Sequence, residues 1–161
     1  MRSGPVGSRH LLALLPEALM PTVHAQLQSP LPPAEVLRII TDFGPRRSQA
    51  WPGVDAQHLQ VHGLGEGWAD VTEGNATTWE RESYTWDAAA GAIAAETKES
   101  NVWAPGSRWD YVLSPSGAGT QVAVTLTRRG KNLKGRVIGA LLPLVGKSVV
   151  TKALAAALRA G

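Results

Sequence analysis

The chain of 161 residues contains no cysteine. Disulfides, thiol nucleophiles and zinc sites built on Cys are therefore excluded, and nothing about redox compartment follows. No run approaches the ~20 consecutive apolar residues of a membrane span. No repeat with a period of roughly 20–50 residues and no low-complexity segment occurs, which removes solenoids and propellers. Ser-His-Asp and Cys-His catalytic patterns are missing. Acid is missing from the C-terminal part: Arg128 to Gly161 holds eight Lys or Arg residues and no Asp or Glu. The remainder carries eight basic and thirteen acidic residues, for a net charge of +3 overall. Such an asymmetry favours an anionic partner for the C-terminal segment.

At this length the chain makes one domain with room for a sizeable core. Met1 to His10 is a Gly/Ser/Arg segment, followed by the short apolar run Leu11 to Leu15. A signal peptide cleaved at Val23-x-Ala25 is one reading. Pro16 and Glu17 interrupt its apolar region, however, and cleavage after Ala25 would cut the first strand. The expectation is an N-terminal extension over residues 1–21, poorly ordered or holding a frayed helix from Leu11 to Leu19, ahead of a single domain over 22–161. Met20 is an alternative start, and the expected location is cytoplasmic.

Thr22 to Gln28 alternates Val23, Ala25 and Leu27 with His24, Gln26 and Gln28, the period of a half-buried strand. Pro32 and Pro33 suit a helix start. Ala34 to Thr41 then places Val36, Leu37 and Ile40 on one helical face, and Arg46 to Trp51 predicts a second short helix. Six strands follow, over Ala56–Gly63, Trp68–Thr72, Thr77–Trp86, Ala92–Trp103, Ser107–Ser114 and Thr120–Thr127. Gly63 to Gly67 reads as a glycine-rich turn. The junctions are of hairpin size, so a sequential antiparallel meander is the economical topology.

Opposed residues on paired strands share a face. With Ala92 opposite Trp86, the inward face receives Trp79, Arg81, Thr97 and Glu99. Trp109, Tyr111 and Leu113 join them from the next strand, and Val122, Val124 and Leu126 from the last. Glu80, Glu82, Glu96, Lys98 and Asp110 then form a solvated outer face. Lys131 to Arg159 reads as a long helix. Leu133, Val137, Leu141, Leu144 and Val145 fall on one broad side of it, while Val150, Leu154 and Leu158 fall on a side rotated away. Pro143 lies at the change, which predicts two pieces jointed at Pro143 to Gly146. The first piece would roof the sheet.

Three stretches carry a resemblance to a known family. Leu31 to Phe43 (Leu-Pro-Pro-Ala-Glu-Val-Leu-Arg-Ile-Ile-Thr-Asp-Phe) is similar to a first helix ending in Asp-Phe, and the Gly63–Gly67 turn follows. Trp109 to Thr120 (Trp-Asp-Tyr-Val-Leu-Ser-Pro-Ser-Gly-Ala-Gly-Thr) is similar to an aromatic strand and its Gly-Thr hairpin. With the long C-terminal helix, the chain from Thr22 to Ala160 resembles the START-like or Bet v 1-like superfamily (SRPBCC). Its bacterial members include the polyketide cyclase/dehydrase and lipid-transport group. The resemblance implies an α+β helix-grip fold: a curved antiparallel sheet of about seven strands, in the order β-α-α-β6-α, wrapped around a long kinked C-terminal helix. It also implies a cavity for apolar ligands.

The candidate chemistry follows from that arrangement. His58 and His62, four apart on a strand, sit ~13 Å apart, too far for one metal ion. Neither a metal nor a cofactor is expected. Gly63-x-Gly65-x-Gly67 is too short for a dinucleotide loop, and an acidic outer face argues against nucleic acid. Arg81 with Glu99 is the most informative pair. It forms either a structural ion pair or a polar handle for a ligand carbonyl or carboxylate, since an isolated buried charge is very costly. The inner walls expected to meet a ligand are Trp79, Arg81, Glu99, Trp109, Tyr111 and Val124, roofed by Val137, Leu141 and Val145. The leading expectation is binding of a small hydrophobic ligand, lipid-, polyketide- or aromatic-like. A second is a cofactor-independent cyclase or dehydrase in which Glu99 or Tyr111 moves a proton and Arg81 stabilises an enolate. A third is weak contact of the basic C-terminal helix with an anionic membrane surface.

Overall fold

The computed structural model describes residues 20–161. The expected N-terminal extension, with any helix over Leu11 to Leu19, lies outside the described residues. Strand β1, Thr22–Ser29, alternates as its sequence demands and sends Val23 and Ala25 into the core. Just before it, Pro21 is tied down by the Arg128 N–H, which donates to its carbonyl at 3.0 Å. Helix α1, Pro33–Ile40, begins on a proline whose missing N–H is harmless in the first turn, and it buries Val36, Ile39 and Ile40. Helix α2, Arg47–Ala50, is a single turn that directs Arg47 inward.

Six strands follow: β2 (Gln60–Gly65), β3 (Trp68–Gly74), β4 (Trp79–Asp87), β5 (Ala92–Ser100), β6 (Arg108–Ser116) and β7 (Gly119–Thr127). The seven-stranded sheet has the order β1-β7-β6-β5-β4-β3-β2. The meander is therefore as expected, with β1 added antiparallel to the last strand. Helix α3, Leu133–Ala160, closes the chain. Its N-terminus is capped by Asn132, whose side chain accepts the Gly135 N–H at 2.9 Å. The whole is the α+β layout of a curved sheet gripping a long C-terminal helix. The core lies between the inner sheet face, α1 and α3, with Val36, Ile40, Val71, Ile93 and Val122 essentially inaccessible.

Four local expectations are corrected. Ala56–His58 is a 3-10 turn rather than strand, capped by Asp55, whose side chain accepts the His58 N–H. Strand β2 continues through Gly63 and Gly65, leaving only a tight turn at Gly67, where φ is +74°. Gly63 and Gly65 are small because the Trp68 indole lies on them; a Cβ at Gly65 would sit 2.1 Å from Trp68 Nε1.

The third correction concerns faces. Ala92 pairs with Asp87, not Trp86, and this one-residue shift reverses every side chain of β4. Glu80, Glu82 and Tyr84 face inward and are buried. A bulge then places Thr97 opposite Glu82 but Glu99 opposite Arg81, so the alternation of β5 breaks and Glu99 turns outward. Between β5 and β6, Trp109 opposes Ala95 rather than Asn101, an even offset that leaves faces unchanged. The β6–β7 register (Trp109–Leu126, Tyr111–Val124, Leu113–Val122) is the expected one.

The fourth correction is α3, which runs unbroken through Pro143. It presses its glycines on the domain: a Cβ at Gly135 would meet the Val102 carbonyl at 2.1 Å, and one at Gly146 would meet Val23 Cγ2 at 2.7 Å. Close approach along this stripe turns Val137, Leu141 and Val145, the expected roof, out to solvent. The helix is also long and apolar enough, by length and composition, to cross a membrane, contrary to the reading of the sequence.

Candidate functional site

A cavity of about 350 Å³ lies between the inner sheet face, the Trp51–Val54 segment after α2, and the middle of α3. Its wall is largely apolar, with Trp103, Trp109, Leu126, Leu142, Val150 and Leu154. Trp109 and Tyr111 stack nearly parallel, with centroids 6.2 Å apart. Set into this wall are three glutamates: Glu73 from β3, and Glu80 and Glu82 from β4.

Two of the glutamates have arginine partners. Arg47 grips Glu73 with both ends of its guanidinium, Nε at 2.7 Å and Nη2 at 2.8 Å, and donates a third bond from Nη1 to the Ile40 carbonyl at 2.7 Å. Its cation lies over the rings of Trp51 at 4.6 Å and Phe43 at 4.8 Å. Arg128 holds Glu80 in the same two-pronged way, at 2.7 and 3.0 Å, and sits between Trp103 and Trp109. The Thr97 hydroxyl adds a bond to Glu80 at 2.9 Å. Buried charges are tolerable only when paired and hydrogen-bonded in this manner. Burial pushes the Glu73 carboxyl up, but the charge and hydrogen bonds of Arg47 outweigh it and hold Glu73 below the usual range.

Glu82 has no cation of its own. Burial, followed by repulsion from Glu80 and Glu73, raises its carboxyl well above the ordinary glutamate range. The hydrogen bonding agrees. Tyr84 has one phenolic proton and donates it to Glu73 in a short bond. The Tyr84 hydroxyl also lies 3.2 Å from Glu82 Oε2, the longer of its two carboxylate contacts, and its single proton cannot serve both acceptors at once. The second Glu82 oxygen, Oε1, has no partner among the described residues. Among the described residues it shares that condition with one other buried side-chain atom, Trp51 Nε1, and both residues line the cavity. The Tyr111 phenol is raised as well, by burial first, and stays protonated.

The expected site residues divide. Trp109 and Tyr111 line the cavity, while Val124 is core beside it. Arg81 and Glu99 lie on the outer face, where Arg81 pairs with Asp70 at 2.8 and 2.9 Å and is 40% exposed. Trp79 shares that outward side of β4. Val137, Leu141 and Val145 do not reach the cavity. The residues missed are Arg47, Trp51, Glu73, Glu80, Glu82 and Arg128. A signal for two of them existed: Glu80 and Glu82 alternate in phase with Tyr84 and Trp86, an aromatic register that belongs inside. Nothing local marks Arg47 or Glu73, which meet across 26 residues. Among the described residues no cluster of His, Asp or Glu could hold a metal ion.

No family model matches the sequence, and no curated protein does. Solved structures do. The Zhui aromatase/cyclase from a Streptomyces species superposes with a TM-score of 0.73 at 15% identity, covering 87% of this chain and 92% of its own. A START superfamily protein from Mycobacterium smegmatis gives 0.61 at 12%, covering 82% and 96%. Ara h 8.0201, a Bet v 1-like protein, gives 0.54 at 13%, covering 88% and 99%. At such identities the likeness is one of fold.

Proposed function

On the START-like, Bet v 1-like fold that this chain shares, we propose that it binds a compact, largely apolar small molecule carrying an oxygen function. The observation behind this reading is the cavity wall. It is mostly aromatic and aliphatic, and where it is polar, Glu82 and Trp51 each bring an atom without a hydrogen-bond partner among the described residues. An unsatisfied buried polar group costs about 1–3 kcal/mol, which a ligand hydroxyl or carbonyl in contact with it recovers. The cavity of about 350 Å³ is near the lower end of ligand pockets, ~300–1,000 Å³. That size suits a fused-ring or polyketide-like compound better than a diacyl lipid, with Trp109 and Tyr111 as a flat wall for its rings.

Glu82 favours a second reading, a cofactor-independent cyclase or dehydrase. It holds a proton and can hand it to a substrate oxygen, and the carboxylate left behind faces the favourable charges of Arg128 and Arg47. Arg81 and Glu99 have no part in this mechanism, because they point away from the cavity. Contact with an anionic membrane, the remaining expectation, depends on the outer face of α3 and not on the cavity.

The test is titration with 1-naphthol, followed by quenching of the wall tryptophans. A saturable curve is expected, with naphthalene about tenfold weaker for want of one hydrogen bond. Ala153→Trp, which fills the cavity, should abolish binding of both. Absence of saturation, or an unchanged curve in Ala153→Trp, refutes the binding reading. Turnover of a β-hydroxyketone probe that survives Glu82→Gln removes the catalytic one.

A further inference from the structure

The outward side of α3 is apolar. Leu133, Val137, Leu141, Leu144, Val145 and Val149 are each 50–82% exposed. At about 100° per residue they occupy one side of the helix. The opposite side, with Gly135, Gly139, Gly146 and Val150, is packed on the domain. A continuous row of large aliphatic side chains exceeds the scattered exposure of an ordinary soluble surface and marks an interaction face. The sheet does not cover it, because the glycines and not the leucines make the close contact.

Charge selects the partner. The segment from Arg128 onward has eight cations and no acid, whereas the rest of the chain is acidic on balance. Lys131 and Lys134 are used internally, donating to the Ser100 and Thr77 carbonyls. Arg136, Lys147, Lys152 and Arg159 are exposed on α3, and their side chains form no ion pair or hydrogen bond among the described residues. An apolar row edged by free cations is the pattern of a helix lying in the interface of an anionic bilayer. A spanning helix would need both sides free, and the inward side of α3 is held by β1, α1 and α2. The row also runs into the cavity: Val149 is 59% exposed, yet it is part of the cavity wall with Gly146, Val150 and Ala153.

We propose that α3 is a docking surface for anionic lipid membranes, with Leu133, Val137, Leu141, Leu144 and Val145 among the acyl chains and Arg136, Lys147 and Lys152 on the headgroups. The exposed edge of the cavity wall at Val149 then faces the bilayer, so an apolar ligand passes between membrane and protein without crossing water. This last step rests on the cavity reading above; the docking does not.

Co-sedimentation of the full chain with phosphatidylcholine vesicles, with and without phosphatidylglycerol, tests it. Binding is expected with phosphatidylglycerol and should fall as salt rises. Leu144→Asp, at the most exposed position of the row, should weaken it at least tenfold while leaving 1-naphthol titration unchanged. Arg136→Glu/Lys147→Glu should remove the salt-sensitive part. Equal sedimentation of the wild type and Leu144→Asp, or no preference for phosphatidylglycerol, overturns the proposal while leaving the cavity reading standing. A dimer seen by analytical ultracentrifugation and dissociated by Leu144→Asp would assign the row to a second copy and overturn it too. So would vesicle binding that appears only after residues 1–19 are removed, since the chain would then be covering its own helix.

Discussion

Glu82→Gln probes the buried cluster through the pH dependence of stability. Arg47 and Arg128 are matched by Glu73 and Glu80. A third carboxylate between them would be unpaired, and burial with the Glu80 and Glu73 charges keeps Glu82 protonated well above the ordinary range. In the unfolded chain the same group loses its proton near pH ~4.3. Above that pH the native state binds one more proton than the unfolded state. Stability therefore falls by about 1.4 kcal/mol per pH unit, until the pH passes the native value. Below pH ~4 the contribution is fully present. Glutamine has the shape and no proton to lose, and other titrating groups cancel between variant and parent. From about pH 5 upward the gap in unfolding free energy should move in favour of Glu82→Gln at about 1.4 kcal/mol per unit. Urea unfolding followed by tryptophan fluorescence, in buffers of constant ionic strength, measures it. A pH-independent gap, or one moving in favour of the parent, would refute a protonated Glu82.

Three further outcomes are expected. Arg47→Met leaves Glu73 buried without its cation and should cost about 3–5 kcal/mol, part of which Arg47→Met/Glu73→Leu restores; chemical denaturation reads both. Gly135→Ala drives a Cβ to 2.1 Å from the Val102 carbonyl and should destabilise by about 1–3 kcal/mol in thermal melts, while Gly53→Ala, in open space, changes little. Arg81→Met removes a pair that is 40% and 32% exposed on its two sides; it should shift stability by less than about 1 kcal/mol and leave 1-naphthol affinity unchanged.

Much of the fold was legible because its signals are local. The alternation of Val23, Ala25 and Leu27, the prolines before α1, and the spacing of turns along β2 to β7 each report on a few neighbouring residues, and the antiparallel meander follows from their order. The candidate site was legible only in part. The inward side of Trp109 and Tyr111 is readable because the β6–β7 hairpin keeps the register its sequence suggests. Arg81 and Glu99 lie on the outer face, against the expectation, because the turn before β5 is one residue shorter than the sequence suggests and the bulge opposite Arg81 changes phase again. With a side-chain period of two, an odd error reverses a strand while an even one is silent. The phase of Tyr84 and Trp86 outweighs the charge of Glu80 and Glu82, since a paired or protonated glutamate can be buried and a misaligned pair of aromatics leaves the core unfilled.

The sequence by itself determined the order and kind of the elements, the single apolar core and the basic character of the C-terminal helix, because these depend on periodicity and composition along short stretches. The tertiary structure decided which glutamates are inside, which arginines neutralise them and which side of α3 faces water. Arg47 meets Glu73, and Arg128 meets Glu80, across 26 and 48 residues. Such pairings are set by how strands register and how closely a glycine stripe lets a helix approach, and neither is encoded in the neighbourhood of the residues that depend on it.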